Sequence, residues 1–259
     1  MFIHNLNPVL LNLGPLEIRY YGLVYIFGFF LAAYWMKYLV KKSILNLEDE
    51  DIWDLSFYLL IGVIIGSRLG MLFWQPSFYF SNPLEILKIW NGGMSFHGGF
   101  LGIIAALYWY AKKKKLPFLK LADILSVPAI FALALGRIAN FINGELWGRA
   151  TDVNWCVVFP QKDEVCRHPS QLYAAGKRFL VFGWLMFLSL KNKFKDGFIF
   201  WNFILFEGLG RIIVDFYRED LLYYGFSKGQ WMSLAMVIIA VYVLNMYYEK
   251  DLKHLWGKK

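Results

Sequence analysis

The chain from Leu119 to Gly148 reads LKLADILSVPAIFALALGRIANFINGELWG. Its first part, up to Phe141, is an apolar run of the roughly 20 residues that a bilayer crossing requires. The end of the stretch nonetheless carries four polar side chains: Arg137, Asn140, Asn143 and Glu145. Helical residues three apart share a face, so a cation and two amides are expected on one side of a helix end in lipid. Such groups are costly there unless they meet a protein partner or a charged substrate.

Composition places the whole chain among membrane proteins. Of its 259 residues, 58% are hydrophobic and 20% are aromatic, which is too apolar for an ordinary soluble domain. The formal net charge of +8 suggests a nucleic-acid partner at first sight, but the basic residues cluster in short loops between apolar runs. That distribution follows the positive-inside rule of membrane proteins, so no nucleic-acid partner is expected.

Seven apolar runs predict an all-α integral membrane protein with about seven transmembrane helices. The predicted spans are Tyr21–Val40, Leu55–Trp74, Met94–Ala111, Leu119–Phe141, Phe179–Leu190, Gly197–Phe216 and Trp231–Tyr247. The fifth run is short, and we expect its helix to begin earlier, near Gln171. Residues 1–259 are expected to form a single polytopic membrane domain.

Basic residues set the predicted orientation. They follow the first, third, fifth and seventh runs: Lys41, Lys42, Lys112–Lys115, Lys191, Lys193, Lys195, Lys250, Lys253, Lys258 and Lys259. Because such loops face the cytoplasm, the N-terminus is predicted outside and the C-terminus in the cytoplasm. The acidic cluster at residues 48–54 falls in the first cytoplasmic loop, where carboxylates suit a solvated helix start.

The long polar segment 143–170, between the fourth and fifth runs, is predicted to form a small extracytoplasmic cap. Alternation in Val153–Pro160 predicts a short strand or two. Three residues are expected on one side of that strand: Trp155, Val157 and Phe159. Cys156 and Cys166 both lie in the cap. A disulfide between them and two unrelated free thiols are equally good interpretations of the sequence.

Three arginines lie within or at the ends of apolar runs: Arg68, Arg137 and Arg211. Placing one Arg in lipid costs at least ~2.5–3.5 kcal/mol, so each requires an explanation. For Arg68, pairing that locks helices together and a functional role are equally good interpretations. Arg137 and Arg211 are expected near the outer ends of the fourth and sixth spans, where two guanidinium forks suit bidentate binding of a phosphate. We therefore favour phosphate binding for this pair.

His97 lies between two glycine pairs in Gly92–Gly99, at the start of the third run. The glycines let a ligand approach, and an imidazole with a pKa of about 6.5 suits a general base. A structural hydrogen bond explains His97 equally well. His168 precedes Pro169 at a helix start, where we expect a hydrogen-bonded cap, and Tyr21 is typical of an aromatic-belt anchor. No ligand spacing supports a metal site.

These segments together resemble the prolipoprotein diacylglyceryl transferases of bacterial inner membranes. The family signature G-R-x-[GA]-N-F-x-N-x-E-x-x-G is matched in full by Gly136–Gly148. Further resembling segments follow in the family's order: Tyr20–Gly22, Gly93–Gly99, Arg167–Tyr173, Gly210–Arg218 and Gly229–Trp231. The resemblance therefore covers nearly the whole chain, with seven spans.

The resemblance implies transfer of the diacylglyceryl group of phosphatidylglycerol to the lipobox cysteine thiol of a preprolipoprotein signal peptide, with release of glycerol phosphate. It implies an enzyme of the bacterial inner membrane, in contact with membrane lipid, with its active site toward the extracytoplasmic face and no metal or organic cofactor. Because the substrate supplies the nucleophile, the enzyme needs no catalytic cysteine. A thiol with a pKa of about 8.5 needs a base or a cationic field at neutral pH.

By its motifs, the resemblance assigns catalytic roles to His97, Arg137 and Arg211. The two arginines handle phosphate, and His97 is the base or orients the lipid. Five further residues are assigned to substrate binding: Tyr21, Asn140, Asn143, Glu145 and Gly148.

The sequence departs from the family pattern at two places. Ala174 stands where an acidic residue often follows Leu-Tyr, and Lys177 and Arg178 come shortly after. Glu207 stands where an aromatic residue commonly precedes Gly-x-x-Arg, four residues before Arg211. We predict that Glu207 pairs with Arg211 or Lys177 and tunes the site.

Two other classes of function compete with the transferase. A transporter of small solutes or lipids would line its path with the intramembrane arginines, but transporters usually show paired repeats and this sequence shows none. A receptor-like membrane module would bind a partner through the cap. That interpretation leaves the cluster of Arg137, Asn140 and Glu145 unexplained.

Overall fold

The computed structural model describes residues 2–13, 16–88, 94–191 and 193–255. The helices are α1 (Tyr20–Lys41), α2 (Asp49–Trp74), α3 (Pro76–Ser81), a 3-10 turn (Pro83–Leu87), α4 (Phe96–Lys114), α5 (Phe118–Ile142), α6 (Ser170–Lys191), α7 (Phe198–Asp215), α8 (Lys228–Tyr247) and α9 (Glu249–Leu255). The strands are short: β1 (Phe2–Ile3), β2 (Val9–Leu13), β3 (Leu16–Arg19), β4 (Val157–Val158), β5 (Cys166–Arg167), β6 (Leu222–Tyr223) and β7 (Phe226–Ser227).

Each predicted span coincides with one long helix in the described part of the chain. These helices are α1, α2 and α4 to α8, with 18 to 26 residues each. α6 begins at Ser170, which confirms the expected early start of the fifth helix. Among the described residues, four segments are long and apolar enough to cross a membrane: Tyr20–Lys41, Asp49–Phe73, Phe118–Ile142 and Lys228–Tyr247. The protein is therefore an all-helical integral membrane protein with small β-structures added.

The contacts of the chain cluster into two compact units. One unit comprises Met1–Phe30 and Asp123–Lys259, and the other comprises Leu31–Ala122. The signature stretch Gly136–Gly148 and Arg211 belong to the first unit, whereas Arg68 and His97 belong to the second.

Glycines set the spacing of α2 and α4 in the second unit. A Cβ atom on Gly66 would lie 2.3 Å from the carbonyl oxygen of Gly98, and one on Gly102 would lie 2.0 Å from that of Gly62. Any side chain at these positions would push the helices apart. The pair therefore packs in the close, small-residue manner of membrane helices.

Arg68, in α2, has structural contacts. Its guanidinium is buried, with the residue 5% exposed, and donates to the carbonyl oxygens of Ile86 at 3.0 Å and Glu85 at 2.9 Å. It also donates to the carbonyl oxygen of Lys88. Carbonyl groups at a helix end need donors, and Arg68 supplies them to the 3-10 turn. These contacts support the structural interpretation of Arg68.

The acidic cluster lies at the start of α2, as predicted, with Glu48 as the N-cap residue. It is more than a solvated helix start, because it also forms ion pairs. The Asp49 carboxylate accepts from Lys37 Nζ at 2.6 Å, and Asp51 pairs with Lys114. These pairs connect the beginning of α2 to α1 and α4.

In the first unit, α7 packs against both α6 and α8. The N-terminus of α7 is held by Asp123 of α5, whose carboxylate accepts from the backbone N–H groups of Gly197 and Phe200, both at 2.7 Å. α8 begins with a capping box: Gln230 N–H donates to Ser227 Oγ at 3.0 Å, and Ser227 N–H donates to Gln230 Oε1 at 2.8 Å. Side chains thus satisfy backbone groups at both helix starts.

The segment 143–170, which is predicted to form the cap, contributes β4 and β5 to a three-stranded sheet. In this sheet β1 runs parallel to β4, and β4 runs antiparallel to β5. The sequence did not predict that the N-terminal residues join it. Cys156 and Cys166 form a disulfide with Cα atoms 5.5 Å apart, which decides between the two interpretations left open above. The buried His4 places Nε2 2.7 Å from the carbonyl oxygen of Phe141, and its ring packs against Phe141 and Phe159.

The alternation predicted for Val153–Pro160 is partly wrong. Val157 and Phe159 are buried, but Cys156 and Val158 are buried too, so burial does not alternate along this stretch. Trp155, however, is 64% exposed, because it lies in a turn before β4 begins. The strand is shorter than the apolar alternation suggests.

Candidate active site

The signature stretch Gly136–Gly148 carries a connected set of polar side chains at the end of α5. Arg137 Nη1 donates to Asn140 Oδ1 at 3.4 Å, and Asn140 Nδ2 donates to Glu145 Oε2 at 3.2 Å. Asn143 Nδ2 donates to the other Glu145 oxygen at 2.9 Å. Glu145 therefore orients the side-chain amides of Asn140 and Asn143, and the Asn140 amide in turn orients Arg137.

A Schellman motif brings Glu145 back to this face of α5. Glu145 N–H donates to the Asn140 carbonyl oxygen at 3.0 Å, and Gly144 N–H donates to that of Phe141 at 3.0 Å. Gly144 has a φ of +66°, a backbone conformation that favours glycine. The glycine between Asn143 and Glu145 thus ends the helix and returns the carboxylate to the amides.

Arg211 lies one turn before the end of α7, beside the buried Asp215. Its Nε atom is 3.5 Å from Asp215 Oδ2, and Arg218 Nη1 is 3.6 Å from the other carboxylate oxygen. Ser227 Oγ donates to Asp215 Oδ2 at 3.3 Å. One buried carboxylate therefore orients two arginines. A Cβ atom on Gly229 would lie 2.7 Å from Arg211 Nη2, so the glycine leaves room for the guanidinium.

Lys177 and Arg178 of α6 both pair with Glu207 of α7. Arg178 Nε donates to Glu207 Oε2 at 3.2 Å, and Lys177 Nζ also donates to the Glu207 carbonyl oxygen at 3.1 Å. The predicted pairing of Glu207 with Lys177 is confirmed. The alternative pairing with Arg211 is wrong, since Arg211 contacts Asp215, one turn farther along α7.

The ends of α5, α6 and α7 enclose a pocket that is rich in cations. Its lining consists of Arg137, Leu146, Ser170, Gln171, Ala174, Lys177, Arg178, Arg211, Val214, Asp215 and Arg218. Five of these side chains are cations, and Asp215 is the carboxylate among them. The pocket therefore suits an anion with several oxygen atoms.

The pocket brings together Arg137 and Arg211, the pair predicted to bind phosphate. Asn140, Asn143 and Glu145 lie behind Arg137, outside the described lining, and hold it through the hydrogen bonds given above. The geometry therefore gives the amides and the carboxylate a positioning role toward Arg137.

Gly148 is explained by packing. A Cβ atom there would lie 2.2 Å from the carbonyl oxygen of His168 and 2.8 Å from that of Tyr217. Two chain segments thus cross so closely that a side chain does not fit. His168 Nδ1 lies 3.2 Å from the hydroxyl of Tyr173, which supports the structural role expected of this histidine.

Tyr21 and His97 are not placed in the described lining of the pocket. Tyr21 is the second residue of α1 and is 37% exposed. The backbone of His97 lies in the first turn of α4, where Ser95 Oγ accepts from Gly98 N–H at 3.2 Å. The side chain of His97 lies outside the described residues. The roles predicted for both residues stay predictions.

Three polar residues that line the pocket were given no role in the site by the sequence: Gln171, Arg178 and Arg218. Lys177 was expected only as a partner of Glu207. The early start of α6 was predicted, but its consequence for these side chains was not drawn from the sequence. Once the helix begins at Ser170, Gln171, Ala174 and Arg178 have the three- and four-residue spacing of one helical face. Charges placed just outside the predicted fifth span are then inside the helix.

Arg167 connects the cap to the signature stretch. Its guanidinium donates to the Gly148 carbonyl oxygen at 3.1 Å, to Glu219 Oε2 at 3.0 Å and to both oxygens of Asp163. The hydrogen bond from Arg167 holds the pKa of the Asp163 carboxyl below its ordinary value of 3.8. Asp163 is therefore ionised throughout the neutral range.

Comparison with known proteins agrees with the site. The profile of the prolipoprotein diacylglyceryl transferase family matches residues 8–246. A phosphatidylglycerol–prolipoprotein diacylglyceryl transferase of Geobacter sulfurreducens is 45% identical over 247 residues, which cover 92% of this chain and 94% of that protein. One of Bordetella parapertussis is 44% identical over 242 residues, 90% of this chain and 92% of that protein. One of Nitrosomonas europaea is 40% identical over 260 residues, which cover 97% of this chain and 94% of that protein. With these identities over nearly its full length, the chain belongs to the prolipoprotein diacylglyceryl transferase family.

Proposed function

We propose that this protein transfers the diacylglyceryl group of phosphatidylglycerol to the lipobox cysteine of a preprolipoprotein signal peptide. The products are a thioether-linked lipid and glycerol phosphate, and the reaction is the first step of bacterial lipoprotein maturation. The observation that carries the proposal is that Arg137 and Arg211, from two different helices, line one cation-rich pocket. Such a pocket fits a leaving group that gains negative charge on phosphate oxygens.

In the proposed reaction, the cysteine sulfur forms a bond to the glyceryl carbon while the bond from that carbon to the phosphate oxygen breaks. The electron pair of the broken bond stays on the phosphate, and the thiol proton passes to a base. Arg137 and Arg211 bind the phosphate oxygens as their charge grows. His97 is proposed to take the proton or to orient the lipid.

The remaining predicted residues are given supporting roles. Asn140, Asn143 and Glu145 hold Arg137 through their hydrogen bonds, and so act on the substrate through it. Tyr21 is proposed to contact substrate. Gly148 is proposed to keep the cap close to the end of α7, on the basis of its tight packing.

We propose that α1, α2 and α4 to α8 span the bacterial inner membrane as one polytopic domain, 1–259. The N-terminus lies outside and the C-terminus in the cytoplasm, as the loop charges predict. The segment 143–170 is the extracytoplasmic cap, and the active site faces the same side. This placement is supported by the position of Arg137 and Arg211 near the C-terminal ends of α5 and α7, next to the cap.

The test uses purified protein in detergent, phosphatidylglycerol and a lipobox peptide, with glycerol phosphate release as the readout. We expect release that depends on the peptide thiol. Arg137→Ala and Arg211→Ala are each expected to lower the rate at least ~100-fold, because each removes a donor to the developing charge. Lys191→Ala, a loss of a cation at the far end of α6, serves as the matched control and is expected to keep full activity.

Release without the thiol, or full activity in both arginine variants, would contradict the proposed reaction. No release from folded wild-type protein would favour transport or partner binding instead. Retained activity in His97→Ala would leave the transferase in place and remove His97 as the base.

A further inference from the structure

Arg178 is a buried cation that lines the pocket, and the proposed reaction described above assigns no role to it. The residue is 4% exposed, and its Nε and Nη2 atoms face Glu207. Its Nη1 atom is also buried but has no hydrogen-bond partner among the described residues. A buried guanidinium N–H group without an acceptor is costly, so such groups normally have a partner. Because Arg178 lines the pocket, an oxygen atom of a ligand there is the natural acceptor.

Lys177 adds to the positive charge on the same side of the pocket. Glu207 is a single carboxylate shared by two cations, so this side keeps an excess of positive charge. The side chain of Lys177 crosses α7 at Gly210, where a Cβ atom would lie 2.6 Å from Lys177 Cδ. Gly210 directly precedes Arg211. The side chain of Lys177 therefore lies beside the arginine that is predicted to bind phosphate.

A purely structural contact between α6 and α7 needs one cation for Glu207, whereas the helix supplies two. The leaving group of the proposed reaction also gains negative charge beyond that of the lipid headgroup. The phosphodiester of the lipid has two terminal oxygens and one negative charge. The released phosphate monoester has a third terminal oxygen and more charge, so a third cationic donor stabilises it specifically.

We propose that Lys177 and Arg178 form a second anion-binding pair, which binds the phosphate oxygen that separates from the glyceryl carbon, with Glu207 as the positioning residue. The inference rests on the proposed function and deepens it. The pocket accordingly prefers a phosphate monoester to a phosphodiester. Free inorganic phosphate and glycerol phosphate bind in it and compete with phosphatidylglycerol.

The experiment measures phosphate binding with and without turnover. Binding of inorganic phosphate and of glycerol phosphate to the purified full chain is followed by phosphorus NMR, and inhibition of transfer by the same two probes is measured in parallel. In Arg178→Gln, we expect binding and inhibition to weaken about ten- to hundredfold, the effect of losing a charged hydrogen bond. The value of kcat should fall more than KM for the lipid rises, because the contact forms late in the reaction. Lys191→Gln, on the same helix, should match wild type.

A conservative variant separates binding from structure. Arg178→Lys keeps the charge that pairs with Glu207, so the helices stay joined, but it lacks the fork that supplies Nη1. We expect a folded protein with phosphate binding as weak as in Arg178→Gln. A purely structural role for Arg178 requires wild-type phosphate binding in Arg178→Lys, and that result would overturn the second pair. A folded Arg178→Gln protein with unchanged phosphate binding would overturn it as well.

The two proposals fail in different ways. Phosphate binding that depends on Arg178, in a protein that releases no glycerol phosphate from lipid, would refute the transferase and leave the anion-binding pair standing. Thiol-dependent release with no detectable binding of either phosphate probe would refute the pair and leave the transferase standing.

Discussion

The direction of Arg211 depends on residues that do no chemistry themselves. The Asp215 carboxylate pairs with Arg211 and accepts a hydrogen bond from Ser227. Gly229 leaves the space that the Arg211 guanidinium occupies. A Cβ atom at Gly229 would also lie 2.8 Å from Asp215 Oδ2. A single methyl group at this position therefore moves either the arginine or the carboxylate that orients it.

Gly229→Ala is expected to lower the rate of glycerol phosphate release roughly ten- to hundredfold, because a misplacement of about 1 Å at a catalytic group has effects of this size. The rate is measured with phosphatidylglycerol and the lipobox peptide. Gly183→Ala is the matched control, since a Cβ atom there meets no atom within 4 Å. Equal rates for Gly229→Ala and wild type would show that Arg211 does not need its observed position.

At the scale of elements, the segment 143–170, predicted to form the cap, has little regular structure and contains a disulfide. β4 and β5 have two residues each, and the disulfide between Cys156 and Cys166 joins them. Such short strands supply few backbone hydrogen bonds, so the crosslink contributes much of their order. Arg167 of β5 donates a hydrogen bond to the Gly148 carbonyl oxygen, and so connects this sheet to the end of the signature stretch.

Replacing Cys156 and Cys166 together by Ser is expected to reduce the free energy of opening of the cap by about 2–3 kcal/mol, because the unfolded loop gains conformational freedom. Hydrogen exchange of the β4 and β5 amides measures this change. The amides of β6 and β7, in a hairpin without a disulfide, provide the internal reference and should exchange as in wild type. Unchanged exchange in β4 and β5 would mean that packing around Phe159 alone holds the cap.

α6 and α7 each combine an apolar surface with charged side chains in the body of the helix. α6 carries Lys177 and Arg178, and α7 carries Glu207 and Arg211. Neither helix is among the four segments of the described chain that are apolar enough to cross a membrane by composition alone. Their charges meet each other or line the pocket, which lowers the cost of placing them at this depth. The charged residues that lower the hydropathy of α6 and α7 are thus the same residues that line the pocket or pair beside it.

At the scale of the whole molecule, the proposed orientation makes a prediction for intact cells. Asp152→Cys, in the cap, should react with a membrane-impermeant maleimide from outside, whereas Glu249→Cys, in α9, should react only after the membrane is opened. Both native residues are exposed, and the disulfide-bonded native cysteines do not compete for the label. Glu50→Cys, in the first predicted cytoplasmic loop, should behave like Glu249→Cys. Labelling of Glu249→Cys in intact cells would refute the cytoplasmic C-terminus.

The sequence by itself determined the long helices, because the apolar content of a run depends only on the residues in it. It also singled out Arg137 and Arg211, since a cation in an apolar run stands out without knowledge of its neighbours. The apolar runs themselves begin several residues after the starts of α2 at Asp49 and of α6 at Ser170, because polar residues extend these helices. The acidic cluster and the shortness of the fifth run nonetheless indicated both earlier starts.

Only the tertiary structure decided which charges meet. Glu207 pairs with Lys177 and Arg178 because α6 packs against α7 at the level of Glu207. Arg211 instead pairs with Asp215 of its own helix. The same holds for the addition of β1 to the cap sheet. Contacts between residues far apart in the chain depend on how the helices pack, and a local pattern of residues carries no information about that packing.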